Sequence, residues 1–260
     1  MQKVWLAVII FILALTFSFA APNPLARLKG TVLYNQAAPA SEAYTGTRDR
    51  AICGDRIPNE TLLIHPNGGL QNVLVFIANI LPESLPPLEL RVELQNCRIR
   101  PHVQALGVGS QLTIRNNDPL LHNVHGRLHE FEPGWEKTST LNIFKAQAET
   151  YFNLLFPTQH SGAIRKMEKP GLLRLRSDAG HTWMLGYILV MPHRYFAVTD
   201  AQGQFEFPAL PAECYDLILW HETLGVKRLV VEVKPGETKE LMVKWFAEGI
   251  SHADTTKHTP

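Results

Sequence analysis

Apolar and polar residues alternate with a period of two in many short stretches of the chain, and this pattern predicts β-strands. The alternation is strictest over 89–94, 111–115 and 204–207. Residues 72–77 are almost continuously apolar, which is typical of a strand that is buried on both faces. No segment keeps a 3.6-residue apolar period over more than about three turns. The pattern therefore predicts an all-β protein.

Turn-forming residues separate these strands and keep each of them short. The 18 prolines and 17 glycines are spread along the chain, which favours short strands joined by turns. Further strands are predicted over 28–33, 61–65, 98–106, 150–156, 171–176, 183–191, 195–199, 214–220, 226–233 and 239–245. Residues 35–60 and 160–169 are predicted to be loops, and 126–148 is irregular with at most a helical turn at 144–149. A Greek-key or sandwich topology fits this series of strands.

The N-terminal residues predict export from the cytoplasm. Lys3 is followed by an apolar run over 4–17 and by the small residues at 18–20. This order is typical of a secretory signal, which we expect to be cut after Ala20. A retained membrane anchor is the alternative, although the run is short for a membrane span and two prolines follow it closely. The protein is thus predicted to be periplasmic or secreted, with no stable membrane span after cleavage.

The net charge and the cysteines indicate which classes of partner and which cellular compartment to expect. The formal net charge is +1, so no strong field attracts nucleic acid or anionic lipid. The three cysteines would experience an oxidising compartment. A Cys53–Cys97 disulfide is the first pairing to expect, with Cys214 left over. Three buried free thiols are the alternative, because sequence alone does not fix the pairing.

Two distant stretches carry donor side chains with metal-ligand spacing. Residues 116–125 end an alternating run with His122 and His125, and residues 177–184 contain His181 and Met184 at His-x-x-Met spacing. A β-sandwich holds a single copper ion with a histidine from one strand end and a Cys/His/Met cluster before the last strand. This chain has that arrangement without a cysteine beside His181.

These stretches resemble a known family. The segments Cys97-Arg-Ile-Arg-Pro-His102-Val, Asn-Asn-Asp118-Pro-Leu-Leu-His122-Asn-Val-His125 and His181-Thr-Trp-Met184 are similar to those of bacterial secreted cupredoxin-like (plastocyanin-like) proteins, which include the methylamine-utilisation group. The segments Phe196-Ala-Val-Thr-Asp200 and Tyr215-x-Leu-x-Leu-Trp220-His221-Glu222 resemble a carboxypeptidase-regulatory-like, carbohydrate-binding-like β-sandwich. The resemblance covers roughly residues 28–245.

The resemblance implies a domain plan. A cupredoxin-like Greek-key β-sandwich would be followed by a smaller transthyretin/carboxypeptidase-regulatory-like β-sandwich. The expected divisions are a signal peptide at 1–20, an N-terminal β region at 21–95 packing on the cupredoxin-like unit, that unit at 96–192, the second sandwich at 193–246 and a flexible tail at 247–260.

The resemblance also implies a ligand set. The two copper histidines of the family fall on His122 and His181, and its axial methionine falls on Met184. The family's copper cysteine falls on Ser177 or Asp178, of which only Asp178 is a candidate ligand. Without the thiolate, neither electron transfer nor its intense visible band is expected. Two imidazoles with Met184 or Asp178 would suit copper, or zinc if Met184 does not bind.

The remaining polar candidates have more ordinary interpretations. His125 and His129 could supply a third imidazole, but solvated loop residues are the more common case. For His102 we expect a structural hydrogen bond, and for Trp220-His221-Glu222 a packing and interaction motif at the domain contact. No nucleophile or phosphate-loop motif is present, so the protein is predicted not to be an enzyme. Two hypotheses result: a copper-binding cupredoxin-like protein, or a metal-free module that binds an unknown protein or glycan partner.

Overall fold

A computed structural model of the chain describes residues 23–46, 48–137 and 141–246. The predicted signal peptide at 1–20 and the predicted tail at 247–260 lie outside the described residues. Among the residues that are described, no helix is long and apolar enough to cross a bilayer.

The described chain is almost entirely β-structure. In the first half, the elements are Ala26–Tyr34 (β1), Tyr44–Thr45 (β2), Arg50–Cys53 (α1), Arg56–Ile57 (β3), Leu74–Ile77 (β4), Glu89–Gln95 (β5), Arg98–Arg100 (β6), Val103–Gly107 (β7), Gln111–Asn116 (β8) and His122–Glu130 (β9). In the second half, they are Glu149–Phe156 (β10), Gly162–Lys166 (β11), Gly171–Arg176 (β12), Leu185–Met191 (β13), Phe196–Val198 (β14), Gln204–Leu210 (β15), Cys214–His221 (β16), Gly225–Glu232 (β17) and Thr238–Trp245 (β18). The predicted all-β class is confirmed.

Four sheets form two sandwiches. The central sandwich pairs a five-stranded sheet, β10-β9-β12-β13-β7, with a four-stranded sheet, β11-β8-β5-β6. Their facing side chains build one core, to which Val92, Ile114, Leu173 and Ile188 belong. This arrangement confirms the predicted β-sandwich.

The terminal sandwich contains strands from both ends of the chain. Its three-stranded sheet has the order β15-β1-β18 and its four-stranded sheet the order β14-β4-β16-β17. The core between these sheets includes Leu28, Val75, Leu217 and Val243. β1 runs parallel to β18 over its length and antiparallel to β15.

The two sandwiches share a third apolar core. Phe76 and Trp220 of the terminal sandwich lie in this core with Leu189 and Met191 of the central sandwich. Successive residues of β4 and β16 therefore point alternately into two cores. This double burial explains the continuous apolar run that predicted a strand at 72–77.

The strand pairing divides the chain differently from the predicted domains. The predicted N-terminal region at 21–95 is not one unit packed on the central sandwich. β1 and β4 pair with C-terminal strands, whereas β5 runs parallel to β8 within the central sandwich. β1 and β4 thus complete the terminal sandwich. Periodicity predicts that a strand exists but not which distant strand it pairs with.

Several local predictions were wrong. The stretch 126–148 was predicted to be irregular, yet β9 extends through 122–130. The predicted strand at 98–106 is two strands, β6 and β7, which are separated by Pro101 and His102. The predicted loop at 160–169 contains β11, and 61–65 has only an isolated bridge at Ile64.

Candidate metal centre

One end of the central sandwich gathers the two histidine-bearing stretches. β9 and β12 are antiparallel neighbours, with His125 opposite Arg176. β9 therefore begins where β12 ends, and the 177–184 loop follows directly from β12. This pairing brings His122, the first residue of β9, close to His181 in that loop.

His122 and His181 form a buried pair. Their side chains are 0% and 2% exposed, and their ring centroids lie 5.2 Å apart in an edge-on arrangement. Each Nε2 faces a carboxylate, at 2.8 Å from Asp118 Oδ2 for His122 and at 3.0 Å from Asp49 Oδ2 for His181. Each Nδ1 is buried without a hydrogen-bond partner among the described residues.

This hydrogen-bond pattern fixes the tautomer of both rings. A carboxylate oxygen accepts a hydrogen bond from the nitrogen that it faces, so Nε2 carries a hydrogen and the lone pair of the neutral ring lies on Nδ1. Metal-binding histidines in proteins are oriented in the same way by carboxylates on their second nitrogen. Both imidazoles therefore offer Nδ1 as a free donor atom in a buried position.

Asp118 accepts hydrogen bonds from the backbone as well as from His122. Its two oxygens also accept the backbone N–H groups of Asn96 and Cys97, at 2.7 and 2.8 Å. Burial would raise the pKa of Asp118, but the hydrogen bonds from His122 and from these two amides outweigh it and lower the pKa below its ordinary value. Asp118 is thus an ionised carboxylate at neutral pH.

The Asn96-Cys97 turn owes its shape to these hydrogen bonds. Both residues have positive φ, 52° and 54°, in the two-residue loop that joins β5 to β6. This is the conformation of a type I′ hairpin turn, for which glycine is usual at the second position. Two amides bound by Asp118, and the Trp183 Nε1–H bound to the Cys97 carbonyl at 3.0 Å, keep a non-glycine residue there.

The short helix α1 covers the second histidine. Asp49 precedes α1 with a φ of 52°, and its carbonyl accepts the Ile52 and Cys53 N–H groups. Its side chain reaches His181 in the 177–184 loop. Burial and the nearby His122 lower the pKa of His181, against the opposing effect of Asp49. His181 is therefore neutral at pH 7, as a metal ligand must be.

A disulfide adjoins the histidine pair. Cys53 at the end of α1 is bonded to Cys97, which confirms the predicted pairing; Cys214 is free and exposed. Ligand atoms of Cys53, Cys97 and His181 all lie within 4.8 Å of one another. Ligand atoms of Cys97, Asp118 and His122 do so as well. The Cys97 sulfur belongs to both clusters.

The donor set suits a copper ion. Imidazole nitrogens are ligands that copper and zinc accept, and the two carboxylates behind these rings favour a cation. Buried polar atoms are rarely left without a partner, so unpaired Nδ1 atoms on two adjacent buried rings call for an explanation. A bound metal supplies one.

Of the other predicted ligands, Met184 is buried in the core beside the disulfide, whereas Asp178 binds other side chains. Met184 is fully buried in the same core cluster as both disulfide cysteines. Asp178 is engaged elsewhere, because its oxygens pair with His125 at 2.7 Å and with Arg176 at 2.7 Å. Among the described residues, neither of the close ligand clusters contains Asp178. Ser177 Oγ accepts the N–H of Ala179.

The other histidines already have partners. His125 and His129 lie on strand β9 and not on a loop as predicted. Both ring nitrogens of His125 are bonded, Nδ1 to Asp178 and Nε2 to Thr150 Oγ1 at 2.9 Å. His129 Nδ1 bonds the Lys145 carbonyl at 3.0 Å. A third imidazole from β9 is not brought to the histidine pair.

His102 and Glu222 join the two sandwiches. Nε2 of His102 contacts the Glu222 carboxylate, and Nδ1 bonds the Leu185 carbonyl at 3.1 Å. Both side chains are buried, at 8% and 5% exposed. Burial and the charge of Glu222 raise the pKa of neighbouring Tyr187 to about 12. His102 thus has the structural hydrogen bond that was expected.

Sequence reasoning missed Asp49 and Asp118 as histidine partners. Asp118 stands four residues before His122, a spacing that offered a weak local signal. Asp49 lies far from His181 in the chain, in a stretch that gives no sign of a site. The closeness of the disulfide to the histidines was also not foreseen.

Comparison with known proteins finds weak structural similarity only. No protein-family model matches the chain, and no curated protein does. Among solved structures, a copper-containing nitrite reductase from Thermus scotoductus SA-01 is similar over 44% of this chain and 26% of its own length, at 17% identity and a TM-score of 0.28. A copper(I) form of an amicyanin mutant is similar over 45% of this chain and 90% of its own, at 15% identity and a TM-score of 0.27. A purple cupredoxin from Nitrosopumilus maritimus is similar over 38% of this chain and 97% of its own, at 14% identity and a TM-score of 0.26.

Proposed function

We propose that the protein is a secreted or periplasmic, non-enzymatic cupredoxin-like protein that binds one copper ion through His122 and His181. The observation that carries this proposal is the pair of buried Nδ1 atoms without partners among the described residues, on rings whose Nε2 atoms are held by carboxylates. Met184, buried at the end of the 177–184 loop, is the natural third donor.

Copper fits this donor set better than magnesium or calcium. Imidazole nitrogen and thioether sulfur are borderline and soft ligands, whereas magnesium and calcium require oxygen. Zinc shares the preference for imidazole but rarely uses a thioether. In the disulfide form the site holds no thiolate, so bound copper(II) would lack the intense sulfur-to-metal absorption of a blue copper protein.

The metal-free alternative leaves the central observation unexplained. A sandwich that had lost its metal would have no reason to keep two buried imidazoles oriented by two carboxylates. An apolar pair of similar volume would avoid leaving two buried nitrogens without hydrogen bonds.

Equilibrium dialysis against copper(II) and copper(I) tests the proposal. The intact protein is expected to retain one copper per chain with a Kd in or below the micromolar range. A His122→Ala/His181→Ala variant should retain none. The matched control is His125→Ala/His129→Ala, which removes two histidines from β9 that already have hydrogen-bond partners, and it should bind normally.

Three results would refute the proposal. They are equal binding by both double variants, loss only in the control, and absence of binding by the intact protein. Far- and near-ultraviolet circular dichroism of each variant shows whether lost binding reflects lost ligands or lost folding.

A further inference from the structure

The Cys97 sulfur lies at the junction of two possible ligand clusters. One cluster joins it to Cys53 and His181, and the other joins it to Asp118 and His122, with ligand atoms within 4.8 Å in each. Cys97 is fully buried, as are both histidines. A sulfur in this position is near both imidazoles of the proposed copper site.

The disulfide keeps this sulfur from acting as a thiolate. A disulfide sulfur carries no negative charge, whereas a thiolate is a strong, soft ligand for copper. The position beside His181, where a cysteine would be expected, holds Ser177 and Asp178, and neither offers sulfur. Among the described residues, the cysteines at the site are therefore the two that are bonded to each other.

We propose that the Cys53–Cys97 disulfide is a redox gate for copper, and that its reduction supplies Cys97 as a sulfur ligand beside His122 and His181. This inference rests on the proposed copper site. The thiolate would come from the β5–β6 turn and not from the loop that carries His181.

A dithiol can reduce the Cys53–Cys97 disulfide by thiol–disulfide exchange. One thiolate of the dithiol attacks the Cys53 sulfur, which forms a mixed disulfide and releases Cys97 as a thiolate. The second thiol of the reductant then displaces Cys53 and closes the oxidised reductant. Two electrons and two protons pass from the dithiol to the cysteines, and copper binding to Cys97 releases the proton of that thiol.

Exposure favours attack on Cys53. Cys53 is 7% exposed on the covering helix α1, whereas Cys97 is 0% exposed. A reductant that reaches the outer sulfur leaves the inner one as the thiolate.

Cys97 is held in place without the disulfide. Its N–H is bound by Asp118, its carbonyl accepts the Trp183 indole N–H, and the preceding Asn96 N–H is bound by Asp118 as well. These three hydrogen bonds fix the turn at positive φ whether or not the sulfurs are bonded. The sulfur is thus expected to remain near the histidines after reduction.

Paired cysteine variants test the gate in a Cys214→Ser background, which removes the exposed free thiol. Cys53→Ser leaves Cys97 as a free thiol, and Cys97→Ser leaves Cys53. Both variants lack the disulfide and therefore the stability that it provides. They differ only in which of the two sulfurs remains. Copper(I) affinity is measured by competition with a chromophoric chelator, and copper(II) is added separately to record the visible spectrum.

The Cys53→Ser variant is expected to bind copper(I) at least about 100-fold more tightly than the disulfide form, since loss of even an outer hydrogen-bond partner costs up to about 100-fold. With copper(II) it should show a sulfur-to-copper absorption band. The Cys97→Ser variant should show neither effect. The disulfide parent, reduced with a dithiol that is then removed without oxygen, should match Cys53→Ser and serves if that variant folds poorly.

Equal affinities of the two cysteine variants, or no gain on reduction, would overturn the gate. The outcomes separate the two proposals. If the oxidised parent binds copper through its histidines and the free Cys97 adds nothing, the copper site stands and the gate fails. If only forms with a free Cys97 bind copper, the gate stands and copper binding by the disulfide form fails.

Discussion

Asp118 Oδ2 lies 2.8 Å from His122 Nε2 in a position where both side chains are almost completely buried. The same carboxylate binds the two amides of the Asn96-Cys97 turn. One side chain thus orients a proposed copper ligand and shapes the turn that carries the disulfide. The site and the hairpin are consequently parts of one hydrogen-bonded unit.

Asp118→Asn should weaken this unit. The amide oxygen can replace only some of the three hydrogen bonds, and a buried donor left unpaired costs about 1–3 kcal/mol. We expect the free energy of unfolding to fall by that amount in urea denaturation, and copper affinity to fall about 10–100-fold.

Asp55→Asn is the control for that measurement. The Asp55 side chain is 80% exposed and lies 3.8 Å from Arg50. A change there should alter stability by less than about 0.5 kcal/mol. Similar losses in both variants would mean that Asp118 has no special role.

Opening the disulfide should destabilise the protein. Cys53 and Cys97 are 44 residues apart, and a loop of that length reduces the entropy of the unfolded chain by an amount worth about 4 kcal/mol. Urea midpoints of the Cys214→Ser protein, measured with and without reductant, test this. An unchanged midpoint after verified reduction would contradict it.

How far the sequence predicts this structure depends on the range of each interaction. Most strands follow from the period-two alternation, which is local. β9 was missed because its buried positions include His122 and Gly126 besides Val124 and Leu128. The ring of Phe152 lies where a Gly126 side chain would be, so glycine marks tight packing there and not a turn.

The site shows the same division. His122 and His181 were predicted as ligands from their spacing, and the structure places their rings side by side. The predicted Cys53–Cys97 bond is present. Asp49, and the position of the disulfide against the histidines, depend on the covering segment around α1. That segment contains only four helical residues and two short strands, and its place is fixed by distant contacts. No sequence pattern within this segment predicts these contacts.

Stability should fall as the pH is lowered through the range of histidine titration. Burial lowers the pKa of His221 from 6.5 to about 4. The unfolded chain takes up this proton below about pH 6.5, whereas the folded protein does not until about pH 4, so protonation favours unfolding between these values.

Between pH 7 and pH 5 the loss from His221 alone should be about 2 kcal/mol. Urea denaturation at the two pH values measures it. His221→Gln, which does not titrate, should show a smaller decrease by that amount. An identical pH dependence in both proteins would contradict the assignment.

The buried His102–Glu222 pair should couple the two sandwiches. Glu222→Gln replaces the buried carboxylate that contacts His102, and a buried hydrogen bond lost in this way costs about 1–3 kcal/mol. We expect a lower transition temperature in calorimetry, with the single unfolding transition broadening or dividing.

Glu83→Gln serves as the comparison for this pair. Glu83 contacts Arg194 at 2.9 Å, but these side chains are 30% and 59% exposed. Exposed pairs contribute about 1 kcal/mol or less, so this change should have little effect. Equal effects of the two substitutions would contradict a coupling role for Glu222.

Electron paramagnetic resonance of the disulfide protein with one equivalent of copper(II) tests the central claim most directly. Two imidazole nitrogens bound to copper should produce nitrogen hyperfine coupling. That coupling should disappear in His122→Ala/His181→Ala and persist in His125→Ala/His129→Ala. A spectrum of free copper in the intact protein, or a spectrum unchanged by the loss of His122 and His181, would contradict the account.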